Sequence, residues 1–215
     1  GKIANLGEIR NRLNLKVPEG FVITSEAYRR FMRHNELLSE INRRIQVASA
    51  ERLDQLYSLS ADVQQLVMRS SLPEDLEQAI LEHYHALEAR EGKGVPLAMR
   101  SSALGEDVAG ASFAGQYRST LNVSGENILH AYKEIVAAKY DLPAMTYRLN
   151  RGIRDEDVAM CVGCLRMVDA MAGGVAYSRN PVSPEDDSVL INSVWGLPKS
   201  VVDGSTPVDL FVVSR

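Results

Sequence analysis

Cysteine is scarce in this chain, no sign of charge dominates it, and it has no long hydrophobic run. Only Cys161 and Cys164 occur among 215 residues, which excludes a disulfide-rich scaffold. Their Cys-Val-Gly-Cys spacing lacks the second ligand pair that a zinc site needs. Both lie in the apolar run Val158 to Val168, where a strand buries thiols or splits them between its faces. Core thiols in a cytoplasmic protein are therefore expected. Lys and Arg number 24 against 28 Asp and Glu, for a formal charge of −4. That balance lacks the clustered basic excess that holds a nucleic-acid backbone, so no nucleic-acid partner is expected. No apolar window approaches the roughly 18 residues of a membrane span, and no signal-like segment opens the chain, so no membrane partner is expected either. Walker A and dinucleotide fingerprints are both missing.

What is present is a composition 45% hydrophobic, enough to bury a sizeable core in one large domain or two subdomains. Ile3, Leu6, Ile9 and Leu13 recur at helical spacing and predict a helix over residues 4–13. A short strand at Phe21–Ile23 and a helix over 26–34, capped by Thr24 or Ser25, follow. Residues 36–90 read as helical, with breaks near Ser49, Ser60 and Leu72-Pro73. Pro73-Glu74-Asp75 is a strong helix start, because proline and acids suit the first turn. After Gly92-Lys93-Gly94 the pattern turns to strands, at 95–99 and 116–123. Ser124 to Asn127 then caps a helix reaching Tyr140, and a further helix covers 145–149. Strands are predicted at 158–168, 174–178, 189–194 and 210–213. The expected organisation is a helix-rich subdomain over 1–94 and a strand-rich portion over 95–215. The chain opens on Gly1-Lys2-Ile3 without an initiator methionine and stops two residues after its last strand. Both ends read as cut from a longer protein.

The chemistry concentrates in Met99-Arg100-Ser101-Ser102-Ala103, followed by Glu106-Asp107 and Ala111-Ser112-Phe113-Ala114-Gly115-Gln116. Arginine offers a planar fork matched to phosphate oxygens, and hydroxyls with a small-residue loop supply further donors. Arg-Ser-Ser by itself also occurs in ordinary surface loops. His83 and His85, two apart on a helix, point to different faces and read as solvated side chains.

Read together, several blocks form an ordered set. They are Gly1 to Glu8, Val17 to Thr24, Arg100-Ser101-Ser102, Ser112 to Gln116, Tyr147-Arg148, Arg166-Met167-Val168, Gly174 to Pro181, Trp195-Gly196-Leu197 and Val201 to Gly204. The set resembles the N-terminal nucleotide-binding domain of the phosphoenolpyruvate synthase and pyruvate phosphate dikinase family. The resemblance implies an α/β (α+β) ATP-grasp-like fold, with two subdomains of mixed sheets flanked by helices holding ATP between them. It places Lys2 and Arg100 at the ATP phosphates, with Ser101 and Ser102 beside Arg100. Such a transferase phosphorylates a histidine on a separate carrier domain, which hands the phosphoryl group to pyruvate in a third domain. None of His34, His83, His85 and His130 matches the carrier motif, so no catalytic residue is assigned in this stretch.

Departures from the family pattern define the alternatives. The pattern implies carboxylates for Mg2+, where this chain has Asn192 and Gly196-Leu197-Pro198-Lys199. An amide oxygen ligates magnesium without adding charge, and a protonated lysine cannot ligate it. Leu165 stands where a glutamine is common. Asn192, which resembles the dikinase branch, is the metal candidate. Three readings stay open: a phosphoenolpyruvate synthase or dikinase-like phosphotransferase, a related dikinase with another acceptor such as an antibiotic or glucan, and a degenerate non-catalytic nucleotide-binding or regulatory module.

Overall fold

The computed structural model of the chain describes residues 2–47, 53–103, 119–183 and 185–215, in two compact units, Gly1–Met167 and Val168–Arg215. In the first unit α1 (Lys2–Leu13) leads into β1 (Gly20–Ile23) and α2 (Ser25–His34). Thr24 caps α2 as expected, its hydroxyl accepting from the Ala27 N–H at 3.4 Å. Next come α3 (Leu37–Val47), α4 (Leu53–Arg69) and α5 (Glu74–Glu91). Pro73 is the N-cap of α5, and Glu74, Asp75 and Glu77 occupy its first turn. That helix ends at Gly92, whose φ of 110° is open to glycine and strained for other residues.

The strands β2 (Leu97–Ala103) and β3 (Ser119–Val123) precede α6 (Ile128–Ala137), α7 (Leu142–Asn150) and β4 (Met160–Arg166). They join β1 in a sheet of order β1-β4-β2-β3. α6 packs on β2, β3 and β4 and also on α4. Phe31, Ile41, Val63, Leu97, Ile135 and Val162 belong to the resulting core, each contributing about 1.5–3 kcal/mol by leaving water.

The second unit holds β5 (Ala172–Tyr177), β6 (Val189–Trp195), α8 (Lys199–Asp203) and β7 (Asp209–Val213), with sheet order β5-β6-β7. None of its described residues is buried.

The α/β class holds, while several details differ from expectation. Every described strand pair is antiparallel rather than mixed. β1 and β2 run the same way, but β4 is inserted between them and pairs with both in the opposite direction. Ser60 does not break a helix: it sits buried inside α4, and its hydroxyl donates to the Tyr140 carbonyl at 2.7 Å. Satisfied across the interface, that hydroxyl does not compete for its own helix backbone. The expected break at Ser49 lies outside the described residues. The segment to Tyr140 is α6 flanked by two 3-10 turns, Gly125–Asn127 and Ala138–Tyr140. The helix α8 has no counterpart in the sequence reading. The change of character after Gly94 falls inside the first unit, between α5 and β2.

Candidate functional site

Alternation along β2 sorts the Arg-Ser-Ser motif onto two faces. Leu97, Met99 and Ser101 turn toward the core and are buried, while Arg100 is exposed on the opposite face. Ser102 shares the Arg100 face by the two-residue period of a strand, but is itself buried. Register adds neighbours to it. On β4, Gly163 is paired with Arg100 and Val22, Cys161 with Ser102, and Leu165 with Ala98 and Gly20. Cross-strand partners share a face, so Arg100, Ser102, Cys161, Gly163 and Leu165 form one surface.

The first helix covers part of this surface. A Cβ placed on Gly163 would collide with the Ile3 side chain and lie 3.8 Å from the Arg100 carbonyl oxygen. Glycine at this position is what lets the start of α1 rest on the sheet beside Arg100. Lys2 adjoins Ile3 in the first turn of α1, so the backbone brings the two proposed phosphate contacts to the same strand pair although 98 positions separate them. The helix is secured at its other end by an Arg10–Glu19 ion pair at 2.7 Å. Among the described residues, no hydrogen bond or ion pair engages the Arg100 guanidinium. Glu106, Asp107 and the Ser112 to Gln116 block lie outside the described residues.

Asn192 sits mid-strand in β6, between Val175 of β5 and Leu210 of β7. Lys199 opens α8 and pairs with Asp203 at 3.0 Å. Among the described residues, no group of three His, Cys, Asp or Glu side chains is placed to hold a metal. One neutral amide does not make a magnesium site, which calls for one or two carboxylates beside phosphate oxygens. Asn192 therefore fits as a single ligand at most.

The two thiols separate as a strand requires. Cys164 is buried on the core face, and burial pushes its pKa up to about 12; Cys161 is half-buried on the Arg100 face. His83 and His85 also diverge. His83 bonds the Ala79 carbonyl at 2.8 Å and packs near Phe21, while His85 faces Glu88.

Sequence reasoning missed a buried charge cluster behind α7. Lys139 is fully buried, and its ammonium donates to the Tyr28 hydroxyl at 2.7 Å and the Asp155 carbonyl at 2.9 Å. It also lies 3.0 Å from Asp155 Oδ1, while Tyr140 donates to Oδ2 at 2.9 Å. Arg148 donates to the Lys139 carbonyl at 2.6 Å. Burial lowers the Lys139 pKa to about 8, against an opposing pull from Asp155 and with a smaller push the same way from Arg148. Burial, reinforced by the Asp155 charge, raises the hydroxyls of Tyr28 and Tyr140 far above the usual tyrosine value. The available signal was a lysine inside the apolar run Ile135 to Tyr140.

Comparison with known proteins agrees with the motif set. The family model described as "Pyruvate phosphate dikinase, AMP/ATP-binding domain" matches residues 1–215. Among curated relatives, the chain is 35% identical to a probable phosphoenolpyruvate synthase of Methanocaldococcus jannaschii, covering all of this chain and 18% of that protein. It is 34% identical to the phosphoenolpyruvate synthase of Neisseria meningitidis and 37% identical to that of Aquifex aeolicus, again over the whole chain and over 28% and 26% of those proteins. The chain spans 18% to 31% of the length of the first such relatives. No described helix is long and apolar enough to cross a membrane.

Proposed function

Because this chain belongs to the family of pyruvate phosphate dikinase AMP/ATP-binding domains, we propose that it binds ATP on the Arg100 face as part of an ATP-grasp phosphotransferase. The observation that carries the reading is the contact of Ile3 with Gly163, which seats the start of α1 beside Arg100. In this reading Lys2 supplies a mobile point charge and Arg100 a planar fork, so both meet a polyphosphate from one sheet surface. Ser102 adds a hydroxyl on the same face. Ser101 turns to the core and contributes by holding the strand rather than by touching phosphate.

Charge developing on a transferring phosphoryl group is stabilised by such fixed cations more than by water. The acceptor is a histidine on a separate carrier domain, and the phosphoryl group continues to pyruvate in a further domain, as in phosphoenolpyruvate synthesis in the cytoplasm. Magnesium, when bound, accompanies ATP through its phosphate oxygens.

Calorimetric titration with MgATP tests the reading. Arg100→Ala is expected to weaken binding at least about tenfold while the melting temperature holds, since an exposed arginine carries little stability. Equal affinity in the two proteins would remove Arg100 from the site.

The Lys199–Asp203 pair and the apolar Leu165 favour a second reading, a nucleotide-binding module without transfer. Tight MgATP binding without phosphoryl transfer to any histidine of the full-length protein would select it.

A further inference from the structure

We propose that a cavity between α3, α7 and the Asp155–Asp157 turn is a binding site for a small organic carboxylate with an apolar body. The cavity has a volume of about 370 Å3. Ile45, Met145, Leu149 and Ile153 contribute its apolar wall, and Arg148 and Asp155 stand at its inner end. Nothing in the nucleotide reading uses it.

The Arg148 side chain is only 4% exposed, yet it adjoins this open volume. A guanidinium carries five N–H donors. Among the described residues, Arg148 spends one hydrogen bond, from Nη1 to the Lys139 carbonyl at 2.6 Å. Its Nη2 lies 3.7 Å from Asp155 Oδ1, an ion pair beyond hydrogen-bond length. None of its nitrogens is among the described buried atoms that lack a partner, so its unbonded donors reach the open volume, where an entering acceptor can take the place of water.

Asp155 does not supply that acceptor: Oδ2 takes the Tyr140 hydroxyl, and Oδ1, ion-paired with the Lys139 ammonium at 3.0 Å but accepting no hydrogen bond, lies too far from Arg148 to accept one. Lys139 and Arg148 thus share one carboxylate, leaving an excess positive charge at the inner end. A carboxylate entering the cavity accepts from the Arg148 fork and cancels that excess, while its apolar body covers the four hydrophobic side chains. Free phosphate presents charge on every side and suits that wall poorly. At the rim, Arg154 pairs with Glu156 and Asp157, both at least half exposed, so those charges are largely cancelled and screened.

The test is calorimetric titration of the chain with butyrate and benzoate, with butyramide, benzamide and inorganic phosphate as controls. The acids are expected to bind, the amides at least about tenfold more weakly, and phosphate more weakly than either acid. Asn42→Asp sets a competing carboxylate on the α3 side of the cavity and is expected to weaken the acids at least about tenfold at an unchanged melting temperature. Arg148→Lys keeps the charge without the planar fork and is expected to act the same way. Should that variant fail to fold, Asn42→Asp alone decides. MgATP titrated alongside should bind equally with and without the acids, so loss of ATP binding elsewhere does not touch this result. No binding of either acid, amides binding as tightly as acids, phosphate binding more tightly, no effect of Asn42→Asp, or displacement of the acids by MgATP would each overturn the proposal.

Discussion

Replacing Lys139 by methionine should change the pH dependence of stability in a direction set by burial. The ammonium has no solvent exposure, and its pKa falls from 10.5 to about 8. Below pH 8 the lysine is protonated in both the folded and unfolded chains, so the folded state bears the full cost of a buried charge. Between pH 8 and 10.5 the folded chain releases its proton first and the unfolded chain binds more protons. Stability therefore rises with pH across this window. At about 1.4 kcal/mol per tenfold, the depression corresponds to about 3 kcal/mol of stability regained. Cys164, Tyr28 and Tyr140 have raised pKa values and pull the other way above about pH 9, because they ionise first in the unfolded chain. Cys164 cancels in the difference, whereas Tyr28 and Tyr140, which lie against the Lys139 ammonium, cancel only below the pH at which tyrosines ionise in the unfolded chain. Urea unfolding of wild type and Lys139→Met at pH 7, 8, 9 and 10 measures that difference. Wild type should gain on the variant by about 3 kcal/mol, most of it by pH 10. A difference that stays constant over this range would refute the reasoning, since it would mean that the folded state does not lower the affinity of Lys139 for its proton.

Three further outcomes are expected. Gly163→Ala should drive its new methyl into Ile3, cost about 1–3 kcal/mol and expose α1 to limited trypsin cleavage at Arg10 and Arg12, with Ile3→Ala in the same chain restoring protection. Loss of protection that Ile3→Ala leaves unchanged would show that the two residues do not meet. Ser60→Ala leaves the Tyr140 carbonyl with only the Gln64 amide, at 3.5 Å, in place of its 2.7 Å donor and should cost about 0.5–1.5 kcal/mol in urea unfolding. Iodoacetamide at pH 8 should label Cys161 in the folded chain and Cys164 only after denaturation, because burial lifts the Cys164 thiol to about 12; equal labelling by mass spectrometry would contradict the placement of the two thiols on opposite faces of β4.

Elements with a local cause were legible in the sequence. Thr24 caps α2 through its own hydroxyl, and Pro73 with three acids opens α5, because those interactions close within one turn. Ser60 misled for the converse reason. Serine competes with helix backbone only when its hydroxyl has no better partner, and here that partner is the carbonyl of Tyr140, 80 positions away. Lys139 drew no reading, since nothing within a few positions shows that tertiary contacts gather a carboxylate and a phenol around it.

By itself the sequence determined most of the helices and strands though not α8, that two cysteines could not make a zinc centre or a disulfide framework, and which family the motif set belongs to. These follow from spacing, capping and residue chemistry, which act over a few positions. Only the tertiary structure decided that the first turn of α1 rests on the strand pair that carries Arg100, because that approach depends on β4 entering between β1 and β2 with Gly163 beneath Ile3. It alone buried Ser102 along with Ser101 and set Lys139 and Arg148 against a single carboxylate. Strand order and burial are global solutions to covering apolar surface, and local spacing does not encode them.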